Sequence, residues 1–313
     1  MDINGPPIIC AVIPAYKVSR EIGDVISSLG TEITQIIVID DGCPERSGGL
    51  VIENCKDPRI EVIFHPKNLG VGEAMKTGYK RALEKGADIV VKIDGDGQMD
   101  STAIPKLIQP LMSGVAGYSK GNRFYDVEGV RKMPKIRIMG NLVLSFFAKL
   151  SSGYWGIFDP NNGFTAINSR SLKALPIEKV DSGYFFESDM LFRLGLAGVK
   201  VIDVNLPARY GNEKSSLKIS KVFFEFPVKH TRNFVKRITY SYFLREFNLA
   251  SLQLIFSLLL LLFGLTLGIQ NWISGILVGE PTPPGTLIVV AISILSGIQF
   301  LIAFFSFDMH KSD

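Results

Sequence analysis

Residues 89–98 read IVVKIDGDGQ, a mostly apolar run that ends in two aspartates separated by one glycine. Short apolar runs bounded by glycine are typical of buried strands. Because Asp94 and Asp96 follow directly, their carboxylates can hold a hard divalent cation, Mg²⁺ or Mn²⁺, and leave positions for phosphate. An EF-hand calcium loop is excluded, since Pro105 stands where its twelfth-position glutamate belongs. The stretch predicts a strand that ends in a metal site.

Strand and helix patterns alternate around this stretch. Ser19 is placed to cap a helix that starts near Ile22, and Pro14 is expected to stop the first strand. The alternation predicts an α/β domain with a mostly parallel sheet. The other predicted strands are residues 8–13, 36–39, 60–64 and 200–204, and the other predicted helices are residues 71–84 and 188–197.

Three strand ends in this pattern are polar or aromatic. Open α/β sheets bind ligands beyond the carboxyl ends of their strands. We therefore expect the three strand ends to form one site. They are Pro14-Ala15-Tyr16, Asp40-Asp41-Gly42 and Asp94-Gly95-Asp96.

Charge divides the chain into a polar part and an apolar tail. Of its 64 charged residues, 60 lie in the first 248, which carry a net charge of +6. Residues 249–269 and 286–307 carry none, and each run is long enough to cross a bilayer. Basic residues precede the first run and follow the second, while the link between the runs has none. This bias predicts an integral membrane protein with its large domain in the cytoplasm.

The segment before the first apolar run mixes basic and aromatic residues. Next to a membrane span, this composition indicates helices that lie in the membrane interface rather than a nucleic-acid surface.

The three cysteines are an odd number without metal-ligand spacing, so neither a disulfide framework nor a zinc site is expected. The sequence thus predicts a cytoplasmic domain at residues 1–212, interfacial helices at 213–248, a two-helix anchor at 249–307 and a cytoplasmic tail at 308–313.

Two other motifs are incomplete. Gly70 and Gly72 open a helix like a dinucleotide fingerprint, but Met75 occupies the third glycine position. Residues 117–121 match G-x-S-x-G, the nucleophile elbow of hydrolases, with Asp203 and His230 downstream. An elbow leads directly into a helix, whereas the residues after this motif have the pattern of a strand end and loop. Both functions are therefore disfavoured.

In their order and spacing, these motifs resemble those of inverting GT-A glycosyltransferases of family 2, in particular the dolichyl- or polyprenyl-phosphate sugar synthases. The resemblance covers about residues 7–218, and the tail resembles that of bacterial and archaeal members. The matching stretches are Pro14-Ala15-Tyr16, Ile39-Asp40-Asp41, Asp94-Gly95-Asp96-Gly97-Gln98, Gly121-Asn122-Arg123, Arg137, Asn162-Gly163-Phe164, Phe186-Glu187-Ser188-Asp189-Met190 and Arg209.

The resemblance implies a role for each matching residue. It implies that a nucleotide is bound by Pro14, Tyr16, Ile39, Asp41, Asp94, Gly95 and Arg209. It implies metal and diphosphate contacts for Asp94, Asp96 and Gln98, with Asp96 also catalytic. Arg123 and Arg137 resemble the catalytic residues that grip the acceptor phosphate, which guanidinium groups bind with two parallel hydrogen bonds.

The implied reaction moves a sugar from a GDP- or UDP-linked donor to a polyprenyl phosphate, dolichyl or undecaprenyl. A lipid phosphate is already an anion at neutral pH, so Glu187 and Asp189 need only orient the acceptor or a sugar hydroxyl. A hydroxyl acceptor on a lipid-linked glycan would need a base, for which Asp189 is the candidate. That transferase, and a non-catalytic nucleotide-sugar binder tethered to the membrane, stay open as alternatives.

Overall fold

The computed structural model describes residues 6–122, 135–206 and 219–311, with the backbone alone at 135–138 and 219–223. The chain divides into two compact units, Met1–Phe234 and Val235–Asp313. The first contains an α/β fold and the second contains two long apolar helices.

The described part of the first unit has a seven-stranded sheet. Its strands are β1 (Ile9–Ala15), β2 (Gln35–Asp40), β3 (Ile60–Phe64), β4 (Ile89–Lys92), β5 (Tyr118–Asn122), β6 (Thr165–Asn168) and β7 (Val201–Asn205). Their order across the sheet is β3-β2-β1-β4-β6-β5-β7. β6 is antiparallel to β4 and β5, and the other pairs are parallel. The predicted α/β fold with a mostly parallel sheet is confirmed.

Helices connect these strands and continue beyond them. They are α1 (Ile22–Ser27), α2 (Ser47–Asn54), α3 (Val71–Glu84), α4 (Ile104–Met112), α5 (Lys135–Ser152), α6 (Ser169–Ala174), α7 (Phe186–Ala197), α8 (Ile219–Thr239), α9 (Leu249–Val278) and α10 (Pro284–His310). The predicted bounds of α3 are confirmed. α7 begins two residues earlier than predicted, which places Glu187 and Asp189 in its first turn.

Both faces of β1, an interior strand of the sheet, are buried, which explains its continuous apolar sequence. Ile9, Ala11 and Ile13 of β1 pack into one core cluster, whereas Cys10 and Val12 pack into another on the opposite face. The sheet is therefore covered on both sides, and a ligand can reach these strands only at their ends.

The prediction that Pro14 stops the first strand is wrong, because β1 continues to Ala15. The carbonyl of Val12 accepts the N–H of Ile93, so the main-chain polar groups of Val12 point toward β4. The main chain at Pro14, two residues later in the strand, faces the same side. Pairing with β4 ends at Val12, whereas pairing with β2 extends to Ala15. The N–H that proline lacks would have had no partner strand there, so its absence costs no ladder bond.

The prediction that Ser19 caps α1 is also wrong. The residue before α1 is Glu21, which makes no capping side-chain bond, and Ser19 Oγ instead donates to Glu45 Oε2 at 2.7 Å. The carbonyl of Val18 accepts the N–H groups of both Glu21 and Ile22. This backbone turn supplies the acceptor that a side-chain cap would otherwise provide.

The second unit contains α9 and α10, both long and apolar enough to cross a membrane. Each extends beyond the predicted run, and few residues of either are buried. The two helices pack closely where Gly264 faces Ser293 and Ile294, and where Gly297 faces Leu261. Small residues permit such close backbone approach between membrane helices.

A buried ion pair joins the ends of the second unit. Arg237, near the end of α8, donates two hydrogen bonds to the carboxylate of Asp308 on α10, at 2.6 and 2.9 Å. Tyr242, in a π-helical turn at Tyr240–Arg245, donates to the same carboxylate at 2.7 Å. These contacts tie the segment before α9 to the far end of α10. Interfacial placement of this segment stays a prediction.

Candidate active site

The strand ends β2, β1 and β4 are neighbours in the sheet, so the three predicted motifs lie side by side. A Cβ atom at Gly95 would lie 3.0 Å from Val18 Cγ2 and 3.5 Å from the carbonyl oxygen of Pro14. The loop after β4 therefore contacts the segment after β1. The sequence prediction that these strand ends form one edge agrees with this geometry.

The segment after β1 presents an aromatic ring to solvent. Tyr16 is 40% exposed, and Lys17 Nζ lies 5.6 Å from the centre of its ring. Lys17 adopts a left-handed conformation with φ 58°, and its N–H donates to Cys43 Sγ at 3.1 Å. The loop after β2 thus holds this segment, and the Tyr16 ring is exposed while Pro14 is half-buried. The nucleotide contacts of Pro14 and Tyr16 stay predictions.

The residues at the end of β2 serve the scaffold. Ile39 is fully buried in the core, which favours a packing role for its side chain. Asp41 is also buried and accepts hydrogen bonds from the N–H groups of Leu69 and Gly70 and from His65 Nδ1, at 2.7 to 3.0 Å. These bonds hold the loop that enters α3. The nucleotide contacts of Ile39 and Asp41 stay predictions.

The end of β4 carries a cluster of three charged side chains, which we call the sheet-edge cluster: Lys92, Asp94 and Glu187. Lys92 is 1% exposed, and its Nζ lies 2.6 Å from Asp94 Oδ1 and 3.3 Å from Glu187 Oε1. Burial alone would lower the pKa of Lys92, but the two carboxylates outweigh it and raise that pKa. Burial raises the pKa of Glu187, against the effect of Lys92. One ammonium group therefore joins two carboxylates from different elements.

The loop after β4 holds the other predicted metal ligands. Asp96 is half-buried, and its Oδ1 accepts the N–H of the exposed Gln98 at 3.1 Å, while Gly97 makes the turn at φ 73°. Within the described residues, no three His, Cys, Asp or Glu side chains form a metal site by themselves. The oxygen donors of Asp94 and Asp96 nevertheless fit a hard divalent cation that completes its coordination with phosphate and water.

Asp189 lies two residues after Glu187 but in a different environment. It is 4% exposed, and its carboxylate accepts hydrogen bonds from the Asp181 N–H, Arg193 Nε and Asn233 Nδ2, at 2.9 to 3.0 Å. We call Asp189, Arg193 and Asn233 the helix-face cluster, because it joins two residues of α7 to one residue of α8. A buried carboxylate with three donors is typical of a scaffold, and the catalytic role of Asp189 stays a prediction.

The segment 181–185 runs closely past the start of α3. A Cβ atom at Gly70 would overlap the carbonyl oxygen of Ser182, and one at Gly72 would overlap that of Asp181. Ser182 also accepts the N–H of Glu73 at 3.2 Å through its carbonyl oxygen. The two glycines of the broken dinucleotide motif therefore serve a close backbone approach.

Helix α8 holds the same segment from its other side. Lys229 Nζ lies 2.7 Å from Asp181 Oδ2, and the rings of Phe226 and Phe185 pack edge to face at 5.2 Å. His230 is buried among phenylalanines and bonds Ser151 Oγ through Nδ1 at 2.8 Å. Burial lowers the pKa of His230 to about 4.

The hydrolase alternative is not supported by the geometry. Ser119 lies within β5, where it is buried and donates to the carbonyl of Leu107 at 2.6 Å. Asp203 accepts the N–H of Phe158, and His230 pairs with Ser151. No contact joins the three motif residues in the part of the chain with described side chains.

Three predicted site residues fall where side chains are not described. Arg123 and Arg209 lie outside the described residues, and Arg137 belongs to α5, where only the backbone is described. Nearby, Asn162 Nδ2 donates to the carbonyl of Gly121 at 2.7 Å, which ties the Asn162-Gly163-Phe164 loop to the end of β5. The roles of the three arginines stay predictions.

Sequence reasoning missed Lys92 as a member of the site. A lysine within an apolar strand was the available signal, because a buried ammonium group requires ionic partners. Its partner Asp94 stands two residues away in the sequence, but Glu187 is 95 positions further along. Only the packing of α7 against β4 brings the second carboxylate to the cluster.

Comparisons with known proteins give matches over this unit. A model of the family described as glycosyl transferase family 2 matches residues 10–175. The UDP-N-acetylglucosamine–dolichyl-phosphate N-acetylglucosaminyltransferase of Methanococcus voltae is 34% identical over 182 residues, which cover 54% of this chain and 72% of that protein. The undecaprenyl-phosphate mannosyltransferase of Micrococcus luteus is 24% identical over 200 residues, which cover 63% and 81%.

Among solved structures, glucosyl-3-phosphoglycerate synthase from Mycobacterium tuberculosis in complex with Mn²⁺, UDP and phosphoglyceric acid has a TM-score of 0.56 to this chain. The two are 21% identical, and the match covers 74% of this chain and 78% of the synthase. The likeness shows that this chain shares the synthase's fold over the part that the match covers.

Proposed function

Because the chain belongs to glycosyl transferase family 2, we propose that it transfers a sugar from a nucleoside diphosphate sugar to a polyprenyl phosphate. The family resemblance read from the motifs is confirmed. Two relatives named for dolichyl phosphate and undecaprenyl phosphate support the acceptor. The strongest structural support for sugar transfer is the sheet-edge cluster. The two helices of the second unit, which are long and apolar enough to cross a membrane, support a lipid acceptor.

The donor is proposed to bind along the edge formed by β2, β1 and β4. The exposed ring of Tyr16 offers a stacking surface for the base, beside Pro14 and the backbone at Gly95. Asp94 and Asp96 would hold Mg²⁺ or Mn²⁺ through carboxylate oxygens, with Gln98 in the same loop. A bound divalent cation would neutralise negative charge on the departing diphosphate. Arg209 is proposed to add a second cation there.

The acceptor is proposed to be a lipid phosphate held by Arg123 and Arg137. Its second pKa is about 6, so at neutral pH it is already an anion and needs no strong base. A phosphate oxygen attacks the anomeric carbon opposite the leaving diphosphate, which inverts that centre. Glu187 is proposed to orient the reacting groups, and its place in the sheet-edge cluster with Asp94 supports this role.

The membrane face is proposed from charge. Arg232, Lys236 and Arg245 precede α9 and Lys311 follows α10, whereas the link between the two helices has no lysine or arginine. By the positive-inside rule both ends of the hairpin lie in the cytoplasm, and so does the first unit. A polyprenyl phosphate would then keep its chain in the bilayer and present its phosphate to the first unit.

The reaction is tested with the full-length protein in liposomes that contain a short polyprenyl phosphate, using a panel of UDP- and GDP-sugars. We expect transfer that depends on Mg²⁺ or Mn²⁺ and that Asp96→Asn abolishes. Asp100→Asn is the matched control, because this neighbouring carboxylate caps the turn at Ser101–Ala103 and asparagine can keep that cap. Full activity in chelator would contradict the metal site.

The acceptor is tested by a second comparison. Arg137→Ala should weaken the apparent affinity for polyprenyl phosphate by about tenfold to a hundredfold, because it removes a charge-assisted hydrogen bond. Donor binding should stay near that of the wild type. Transfer to a hydroxyl of a lipid-linked glycan, with an unchanged polyprenyl phosphate titration in Arg137→Ala, would favour the hydroxyl-acceptor transferase instead. Nucleotide-sugar binding without any turnover would favour the non-catalytic binder.

A further inference from the structure

Lys92 is a buried cation in direct contact with a predicted metal ligand. It is the last residue of β4 and is 1% exposed, with its Nζ 2.6 Å from Asp94 Oδ1. Glu187 Oε1 lies on the same ammonium group at 3.3 Å. Lys92 is a fixed cation, yet it contacts Asp94, the carboxylate that is predicted to bind a metal cation. This contact requires an explanation.

The packing around Lys92 holds it in place. A Cβ atom at Gly163 would overlap Lys92 Nζ and would lie 2.7 Å from Asp94 Oδ2, so the backbone of the Asn162-Gly163-Phe164 loop closes over the pair. The N–H of Asp94 also donates to Met99 Sδ at 3.3 Å, which fixes the start of the metal-binding loop. Lys92 therefore cannot leave Asp94 for solvent without moving this loop.

The charges of the cluster have a consequence for metal binding. One ammonium group against two carboxylates leaves one net negative charge, so the lysine cancels much of the attraction for a divalent cation. A nucleoside diphosphate brings further negative charge and oxygen ligands to the same edge. The attraction for the cation is then restored only when the nucleotide is present.

We propose that Lys92 is a built-in counter-cation that keeps the affinity of the free site for divalent metal low, so that the metal binds together with the nucleotide diphosphate. This role rests on the proposed function, because it assumes that Asp94 and Asp96 hold the cation. Lys92 is thus a positioning residue that acts through Asp94 and determines the dependence of metal binding on nucleotide.

The experiment measures Mn²⁺ binding to the full-length protein by electron paramagnetic resonance, with and without the nucleotide that the donor panel identifies, UDP here and GDP in its place if the donor is a GDP-sugar. The wild type should bind Mn²⁺ at least about tenfold more tightly with UDP than without it. Lys92→Met should raise the nucleotide-free affinity by about tenfold or more, because it removes a positive charge within hydrogen-bond distance of a ligand. Lys92→Gln, which keeps polar character, should shift it in the same direction.

Lys120→Met is the matched control. Lys120 is another 1% exposed lysine, and like Lys92 it pairs in register with Thr165, but its ion-pair partner is Asp203 at 3.8 Å. Its loss should leave the nucleotide-free affinity for Mn²⁺ unchanged. A general loosening of the fold would instead change both lysine variants alike.

Three results would overturn the proposal. The first is a wild type that binds Mn²⁺ equally well with and without UDP, which needs no variant to be folded. The second is unchanged or weaker nucleotide-free affinity in Lys92→Gln and Lys92→Met. The third is no Mn²⁺ binding by the wild type even with UDP, which would also overturn the metal site of the proposed function. The first two leave that function intact.

Discussion

Glu187 and Asp189 stand in the first turn of the same helix, yet the two carboxylates belong to different regions. Glu187 reaches the sheet-edge cluster, where it shares the ammonium group of Lys92 with Asp94. Asp189 is held in the helix-face cluster by three donors, including Asn233 of α8. The difference teaches that sequence position assigns a carboxylate to a helix turn, whereas its tertiary partners determine whether it is available for chemistry.

Among the variants that separate these two regions, the largest effect is expected for Glu187→Gln. Loss of this charge should lower the turnover number by about a hundredfold, as expected for a charge that stabilises or orients the reacting groups. The thermal midpoint should stay close to that of the wild type, since glutamine has the same size. Steady-state kinetics and a melting curve measure the two. Glu178→Gln is the control, because the Glu178 side chain is 65% exposed and pairs with Lys80 at the surface.

Asp189→Asn should have the opposite pattern. Asparagine cannot accept all three hydrogen bonds with the strength of a carboxylate, so the free energy of unfolding should fall by about 2–3 kcal/mol. Turnover per folded molecule should change less than threefold, which corresponds to less than about 1 kcal/mol in the activation free energy. Denaturant titration with an activity assay on the folded fraction separates these. A large loss of turnover at unchanged stability would instead make Asp189 a catalytic base.

The segment between the two regions can be displaced directly. Gly72→Ala should cost about 1–3 kcal/mol, because its Cβ atom would overlap the backbone of residues 181–182, which cannot move without α7. We expect a reduced turnover number as well, since Glu187 follows on the same segment. Gly23→Ala is the control, because this glycine is likewise the second residue of its helix and has no atom within 4 Å of the added Cβ. Equal melting temperatures for the two variants would contradict the close packing.

The last prediction concerns the pH dependence of stability and the face of α8. The pKa of His230 is about 4 in the folded protein and about 6.5 when unfolded, so between these values the unfolded chain binds more protons. Stability should therefore fall as the pH falls from 6.5 to 4, by at most about 1.4 kcal/mol per pH unit from this group. His230→Phe should reduce that slope, as measured by denaturant titration at several pH values. An unchanged slope would contradict the assignment.

Local sequence patterns were enough to predict an element when a single local rule determines its bounds. The helix pattern at residues 71–84 predicted the observed bounds of α3, a helix that buries one face against the sheet. Pro14 and Ser19 were misjudged for a common reason. Pairing of β1 with β4 has already ended at Val12, so the N–H that Pro14 lacks has no acceptor to lose, and before α1 the Val18 carbonyl replaces a side-chain cap. Both features are determined by backbone geometry rather than by residue type.

The sequence by itself determined the alternating strands and helices, the polar strand ends and the two apolar runs, because periodicity and run length are local properties. It also placed Asp94 and Asp96 at a strand end. Only the tertiary structure decided that Lys92 faces Asp94 and Glu187, that Asp189 is enclosed, and that Asp41 holds a loop. Electrostatic and hydrogen-bonding partners act through space over a few ångströms, and these partners are brought together by chain segments up to 95 positions apart.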